Sequence, residues 1–317
     1  MARDYRIDSI KGLLIILVVI GHVITMLNNT NAINHGVMGG IYIFHMPLFI
    51  LLSGYLTKSP EQQSPGKMWR GVGNIAITFI IFQVISCIRV TFYGGNFWAS
   101  MSYFPFGILW YLFSLMLWRI MLYYTPRALL RKTWLYLGLA FLASVLIGLT
   151  NLGLFLSIQR TFNFYVFFLL GYYYRQGCIS TKWWNNNLLH GIITIVLLPL
   201  IFWLFPRCGN VMNGADHYDL VDIPQKVMIL ACSISISLLV FNLMRDFRPL
   251  RSIGQHSMFY YLYHIYIIGT VLSPLVKQYH WPSNIVFVLL YSTAIIAALS
   301  LLRKIKFFRW LVQPWRF

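Results

Sequence analysis

Apolar runs of about 18 to 22 residues recur from one end of this chain to the other, each long enough for a helix to cross about 30 Å of hydrocarbon. The polar stretches between them, roughly 8 to 18 residues long, are too short to hold a soluble domain. Only helices and closed barrels satisfy every backbone N–H and C=O in lipid, and runs of this length select helices. About ten spans are expected, near 10–28, 37–57, 69–92, 104–124, 133–150, 161–175, 187–205, 224–244, 256–276 and 283–302. The expected class is an all-α, polytopic integral membrane bundle. Composition agrees: 59% of residues are hydrophobic and 10% charged, against about a quarter charged in soluble domains.

A net charge of +18 invites a nucleic-acid reading. A nucleic-acid module, however, gathers its charge into one patch, whereas here Lys and Arg sit in small groups between apolar runs. No nucleic-acid partner is expected. All but five of the 25 cations, the exceptions being Arg89, Arg160, Arg207, Lys226 and Lys277, fall on one side of the alternating loops. By the positive-inside rule that side is cytoplasmic, and it includes both termini. Residues 1–302 are expected to form a single transmembrane domain. Residues 303–317 mix cations with Phe307, Phe308, Trp310 and Trp315, as a cytoplasmic interfacial tail would. The start of the chain resembles a secretory signal, but without a clear cleavage site, and with Lys11 and His22 in its apolar run it reads as a retained first helix. Cys87, Cys178, Cys208 and Cys232 form no CxxC pair, so neither a metal site nor a disulfide framework is expected.

Ionisable groups inside spans cost about 2.5 to 3.5 kcal/mol each on insertion scales, so each needs a reason. At 1.5 Å per residue, His22 lies roughly 18 Å from the cytoplasmic end of the first span and His45 about 12 Å below the outer surface in the second. Two histidines at similar depth in adjacent helices point to function; a neutral ring bonded between helices is the alternative, and for His45 so is the bend set by Pro47. Lys11 shares a face with His22, with Asp8 close by, and Lys67 and Arg70 share another at the start of the third span. These three cations are either anchors or a mouth suited to phosphates. Only fourteen residues separate Arg160 from Arg175, about 21 Å of helix, so Arg160 is a candidate for a polar cavity on the outer side. His264, Gln83, Gln159 and Asn163 read more simply as interhelical hydrogen bonders. Asp216, His217, Asp219 and Asp222 read as a solvated outer loop.

The opening RIDSIKGLLIILVVIGH, with Lys11 and His22 ten residues apart, and the later FHMPLFILLSGYL at 44–56, followed by Lys67 and Arg70, resemble the acyltransferase family 3 membrane proteins, near the fucose 4-O-acetylase-like group. LWYLFSL at 109–115, RTFNFYVFFLLGYYYR at 160–175 and YYLYHIYII around His264 are weaker matches, and the ordered set covers essentially the whole chain. The resemblance implies a membrane O-acyltransferase that moves an acetyl group from cytoplasmic acetyl-CoA, without a metal, to a hydroxyl of an envelope or exported sugar. It implies a multi-pass protein of a bacterial cell membrane whose partners are a carbohydrate acceptor and the lipid bilayer. Longer members carry an extracytoplasmic hydrolase-like domain, which these residues lack, so the membrane domain is expected to reach the acceptor itself. Lys11, Lys67 and Arg70 would hold the CoA phosphates. His22 would serve as the base, with direct attack favoured over an acyl-histidine. His45 would orient the sugar or stabilise charge, and Arg160, Asn163 and Trp110 would bind the sugar. The competing reading is a transporter or flippase of a lipid-linked sugar or anionic metabolite, using the same buried groups without chemistry.

Overall fold

A computed structural model describes residues 4–27, 31–102, 104–204 and 217–316. Cys208, Arg207, Asp216 and Arg3 lie outside the described residues. In chain order the principal helices are α1 (Tyr5–Met26), α2 (Ala32–Tyr42), α3 (His45–Tyr55), α4 (Pro65–Phe92), α5 (Phe97–Ser102), α6 (Trp110–Tyr124), α7 (Thr133–Leu146), α8 (Ile158–Arg175), α9 (Asn187–Leu204), α10 (Ile223–Leu243), α11 (Arg248–Gly254), α12 (Ser257–Ile267), α13 (Ser273–Tyr279), α14 (Ile285–Leu302) and α15 (Lys306–Val312). No strand occurs among the described residues. Each expected span falls on one helix or on two consecutive ones.

Among the described residues, seven stretches are long and apolar enough to cross a membrane: Tyr5–Met26, Ala32–Tyr55, Pro65–Phe92, Phe97–Tyr124, Leu220–Leu243, Ser257–Tyr279 and Ile285–Leu302. Thr133–Leu149 and Asn187–Trp203 are apolar but shorter. α8, at 18 residues, carries Arg160, Asn163 and a run of tyrosines, which lowers its apolarity. The protein is an all-helical, multi-pass membrane protein. Large apolar side chains such as Ile195, Val196, Trp203 and Leu290 face outward, where lipid would cover them.

Two interruptions have local causes. The second span breaks at Ile43 and Phe44 because Pro47 has no N–H to offer the Ile43 carbonyl. The ninth passes through a π-turn, Ile268–Leu272, just before Pro274, which leaves the Thr270 carbonyl without its usual donor.

The chain divides into two compact units, residues 1–49 with 240–317 and residues 50–239. In the first, α1 is buried along most of its length and crosses α11 with backbones in contact. A Cβ on Gly12 would overlap the Leu250 carbonyl, and one on Gly254 would overlap the carbonyl of Asp8. The Phe247 amide donates to the Ser9 hydroxyl at 3.0 Å beside that crossing. The tail helix α15 docks on α12, where the Tyr263 hydroxyl donates to the Phe308 carbonyl at 3.1 Å.

In the second unit, the end of α3 crosses α8 in the same way, Gly54 against the Phe168 carbonyl and Gly171 against that of Leu51. Polar side chains tie α8 to its neighbours, as expected of hydrogen bonds between membrane helices. Trp118 donates to the Thr161 carbonyl at 2.8 Å, and Ser114 and Thr161 share a bond of 2.8 Å. Tyr136 bridges Thr125 and Tyr165, both at 2.8 Å. Gln83, expected to bond helix to helix, instead accepts at 2.9 Å from the amide of Phe106, in the loop ahead of α6.

Candidate functional site

Three imidazoles gather in the first unit. His22 lies on α1, where Gly21 admits the Tyr42 ring of α2 against the helix backbone, and Thr25 shares a 3.3 Å hydrogen bond with the Tyr42 hydroxyl. The Tyr42 ring in turn sits edge-on to His45 with centroids 5.0 Å apart. Tyr42 thus lies between the two, against the α1 backbone beside His22 and edge-on to His45. From α12, the His264 ring packs edge-on to His22 with centroids 4.9 Å apart.

The tautomers of all three rings are set by their own helices. Nδ1 of His22 faces the Val18 carbonyl at 2.9 Å, that of His45 faces Ile41 at 2.8 Å and that of His264 faces Tyr260 at 3.1 Å. A carbonyl only accepts, so each Nδ1 of a neutral ring donates and each Nε2 keeps a lone pair. His264 is fully buried, and its Nε2 has no hydrogen-bond partner among the described residues. His45 is nearly as buried, whereas His22 is only half-buried. His22 is thus the least enclosed of the three rings, and the buried His264 acceptor left without a donor at its side needs an explanation. Among the described residues no cluster of His, Cys, Asp and Glu is arranged to hold a metal ion.

His264 was legible only as an interhelical residue; its place beside His22 comes from the fold. Nearer the start of α1, Lys11 Nζ lies 3.7 Å from the Asp8 carboxylate, which is itself buried. The cation at the foot of the His22 stripe is therefore held in position on its helix.

The other expected residues belong to the second unit. Lys67 and Arg70 are exposed in the first two turns of α4. Cations there add to the positive end of the helix macrodipole, which disfavours them for stability and suits an anion. The Arg160 guanidinium lies over the Trp110 ring, 5.2 Å from its centroid, and Trp110 stacks on Phe164. α8 starts from two non-glycine residues in the left-handed region, Leu156 (φ 46°) and Ser157 (φ 50°), a costly entry that sets where Arg160 sits. Asn163 is buried and committed within the protein: its Oδ1 accepts from the Lys226 ammonium and from Ser144 at 3.2 Å. Lys226, read from the sequence only as an outer-side cation, is itself fully buried.

A buried histidine cluster within a multi-pass helical fold defines a class, the membrane proteins that carry a polar site inside the bilayer. The particular family follows from comparison: the model described as "Acyltransferase domain" matches residues 4–303, and the chain belongs to that family. It is also similar to the nodulation protein NolL of Sinorhizobium fredii (strain NBRC 101917 / NGR234), 36% identical over 91 residues, covering 28% of this chain and 24% of that protein. The NolL of Mesorhizobium japonicum (strain LMG 29417 / CECT 9101 / MAFF 303099) is 35% identical over 91 residues, with the same coverage. The match thus spans about a quarter of these relatives' length. No solved structure matches the chain.

Proposed function

We propose that this protein is a membrane O-acyltransferase that moves an acetyl group from acetyl-CoA to a hydroxyl of an envelope or exported sugar. The observation that carries the reading is the His22 Nε2 lone pair, held by the Val18 bond, with the His264 ring packed edge-on to it and His45 reached through Tyr42, in a member of an acyltransferase family. The acceptor hydroxyl gives its proton to His22 Nε2 as its oxygen bonds to the acyl carbon. The carbon–sulfur bond then breaks and the leaving thiolate takes the proton from the imidazolium, so the base is restored without a net proton change. Direct attack needs one base with an accessible lone pair, and the half-buried His22 suits that role. His45 orients the sugar or stabilises developing charge.

Lys11, Lys67 and Arg70 are assigned to the donor phosphates, and Arg160 with Trp110 to the acceptor, since a guanidinium over an indole presents N–H donors beside an aromatic face that a sugar ring can cover. Asn163, with its oxygen engaged, contributes through its amide N–H groups alone. The expected location is a multi-pass position in a bacterial cell membrane, with donor entry from the cytoplasmic side.

Purified protein incubated with labelled acetyl-CoA and candidate glycans tests the reading. Consumption of the thioester with formation of an acetyl ester supports it; movement of sugar across a vesicle membrane without acetyl transfer would overturn it in favour of a transporter. Lys67→Gln combined with Arg70→Gln is expected to raise the KM for acetyl-CoA by about tenfold, the loss of one or two charge-assisted hydrogen bonds. Its kcat should stay within about twofold, because such binding is uniform between ground and transition states. A change in acceptor KM alone would reassign the pair.

A further inference from the structure

We propose that Arg119 and Lys58 form a phosphate clamp in the second compact unit, on the side that the loop charges assign to the cytoplasm. There the turn after α3 faces the last turns of α6 across a cavity of about 120 Å³. Its lining includes Thr57, Lys58, Gln63, Met68, Arg119 and Tyr123. The Arg119 guanidinium lies beside Gly71 of α4, and its Nε is buried with no hydrogen-bond partner among the described residues. Glu61, the carboxylate on the same loop, pairs instead with Arg131 at 4.0 Å and is not among the lining residues.

The ligand follows from this donor set. A guanidinium presents a planar fork of N–H groups that matches phosphate oxygens, and a lysine adds a compact point charge. Gln63 and Tyr123 bring further hydrogen-bond donors, while the Thr57 hydroxyl donates to the Ser53 carbonyl at 2.7 Å. Two cations facing donors, with no carboxylate in the lining, fit a doubly charged anion better than a carboxylate. The cavity is well below the roughly 300 Å³ at which pockets begin to enclose a whole small molecule, so it takes the anionic end of a ligand and leaves the rest outside. The clamp rests on the acyltransferase reading for the identity of that ligand, the CoA donor, which carries a diphosphate and a separate ribose phosphate. Lys67 and Arg70 do not line this cavity, so the donor's phosphate groups have two cationic positions available to them. Anionic lipid headgroups also carry phosphate, as a singly charged diester that the same donors can hold.

The test uses the full chain in phosphatidylcholine nanodiscs, with and without phosphatidylglycerol. Equilibrium binding of CoA and of dephospho-CoA, acetyl-transfer kinetics and thermal unfolding are measured for the wild type, Arg119→Gln and Lys58→Gln. Arg119→Gln is expected to weaken CoA binding tenfold or more and Lys58→Gln three- to tenfold, with matching rises in the KM for acetyl-CoA and kcat within twofold. If dephospho-CoA loses this dependence on Arg119, the ribose phosphate is the group held. Folded variants with unchanged CoA affinity would overturn the clamp. Should Arg119→Gln not fold, the exposed Lys58 decides the matter. If phosphatidylglycerol stabilises the wild type but not Arg119→Gln, while CoA affinity is equal in both, the cavity serves a lipid headgroup and the donor clamp is overturned. If CoA binding depends on Arg119 yet the wild type transfers no acetyl group, the acyltransferase reading falls and the clamp stands.

Discussion

Replacing His22 by glutamine is expected to lower acetyl transfer by about 10²- to 10⁴-fold, the usual range for removing a general base. Glutamine keeps a hydrogen-bonding group of similar length at a half-buried position, so the protein should still insert and elute as a single species. What is lost is the Nε2 lone pair that the Val18 bond holds ready. The measurement is single-turnover formation of acetyl ester from labelled acetyl-CoA, alongside equilibrium binding of the donor. Donor affinity should stay within a few fold, because the assigned phosphate contacts lie on other residues. A variant that binds donor and transfers at the wild-type rate would remove His22 from the chemistry. The same experiment separates direct attack from an acyl-histidine: a labelled wild-type protein isolated without acceptor would carry acetyl on the ring only in the second case.

His45 and His264 belong to the same cluster, but they were unequally legible. His22 and His45 sit in adjacent spans joined by a short loop, so a rise of 1.5 Å per residue was enough to set them at similar depth. His264 lies far along the chain, and depth arithmetic gives height without azimuth. Which distant helix closes on α1 depends on α11 meeting α1 at Gly12 and Gly254, a contact between backbones that no hydrophobic pattern announces. Two signals were available in the sequence, a histidine in an apolar run and Pro274 soon after it, and the structure joins them through the π-turn Ile268–Leu272.

The spans were legible because apolar length alone defines them, and the break before His45 because Pro47 lacks a donor. Lys226 and Arg119 were not. Each was counted as a loop-side charge, and a charge pattern cannot tell a snorkelling cation from one whose polar end is sequestered. The structure buries Lys226 against Asn163 and encloses the Arg119 Nε beside a cavity. Of the ten expected spans, those at 133–150 and 187–205 fall on apolar helices, Thr133–Leu149 and Asn187–Trp203, that are shorter than the seven long enough to cross a membrane, because an apolar run does not fix how much of it stays helical.

The second large effect falls on the fold. Gly171→Val is expected to abolish recovery of folded protein, and Gly254→Val to do the same in the other compact unit. A side chain on Gly171 would run into the Leu51 carbonyl, and one on Gly254 into the carbonyl of Asp8 and the amide of Gly12. Backbone cannot turn aside as the end of a flexible side chain can, so the helices must separate. Separation breaks the contacts along α3 and α8 or along α1 and α11, which places the cost at or above the roughly 3 kcal/mol upper end of ordinary overpacking. Between membrane helices there is no compensating hydrophobic drive to press them back together, since lipid chains solvate the freed surfaces. Gly138→Ala is the control, because an added Cβ there meets nothing within 4 Å and alanine is the better helix former by about 1 kcal/mol. Monodisperse yield in detergent and the temperature of half-loss on heating read both effects. Gly138→Ala should match or slightly exceed the wild type, while Gly171→Val and Gly254→Val should aggregate or be degraded. Normal yield of either valine variant would mean that the backbones at that crossing are not in contact. For Gly254 the consequence reaches the site, because the crossing that brings α11 against α1 immediately precedes α12, and α12 carries His264 to His22.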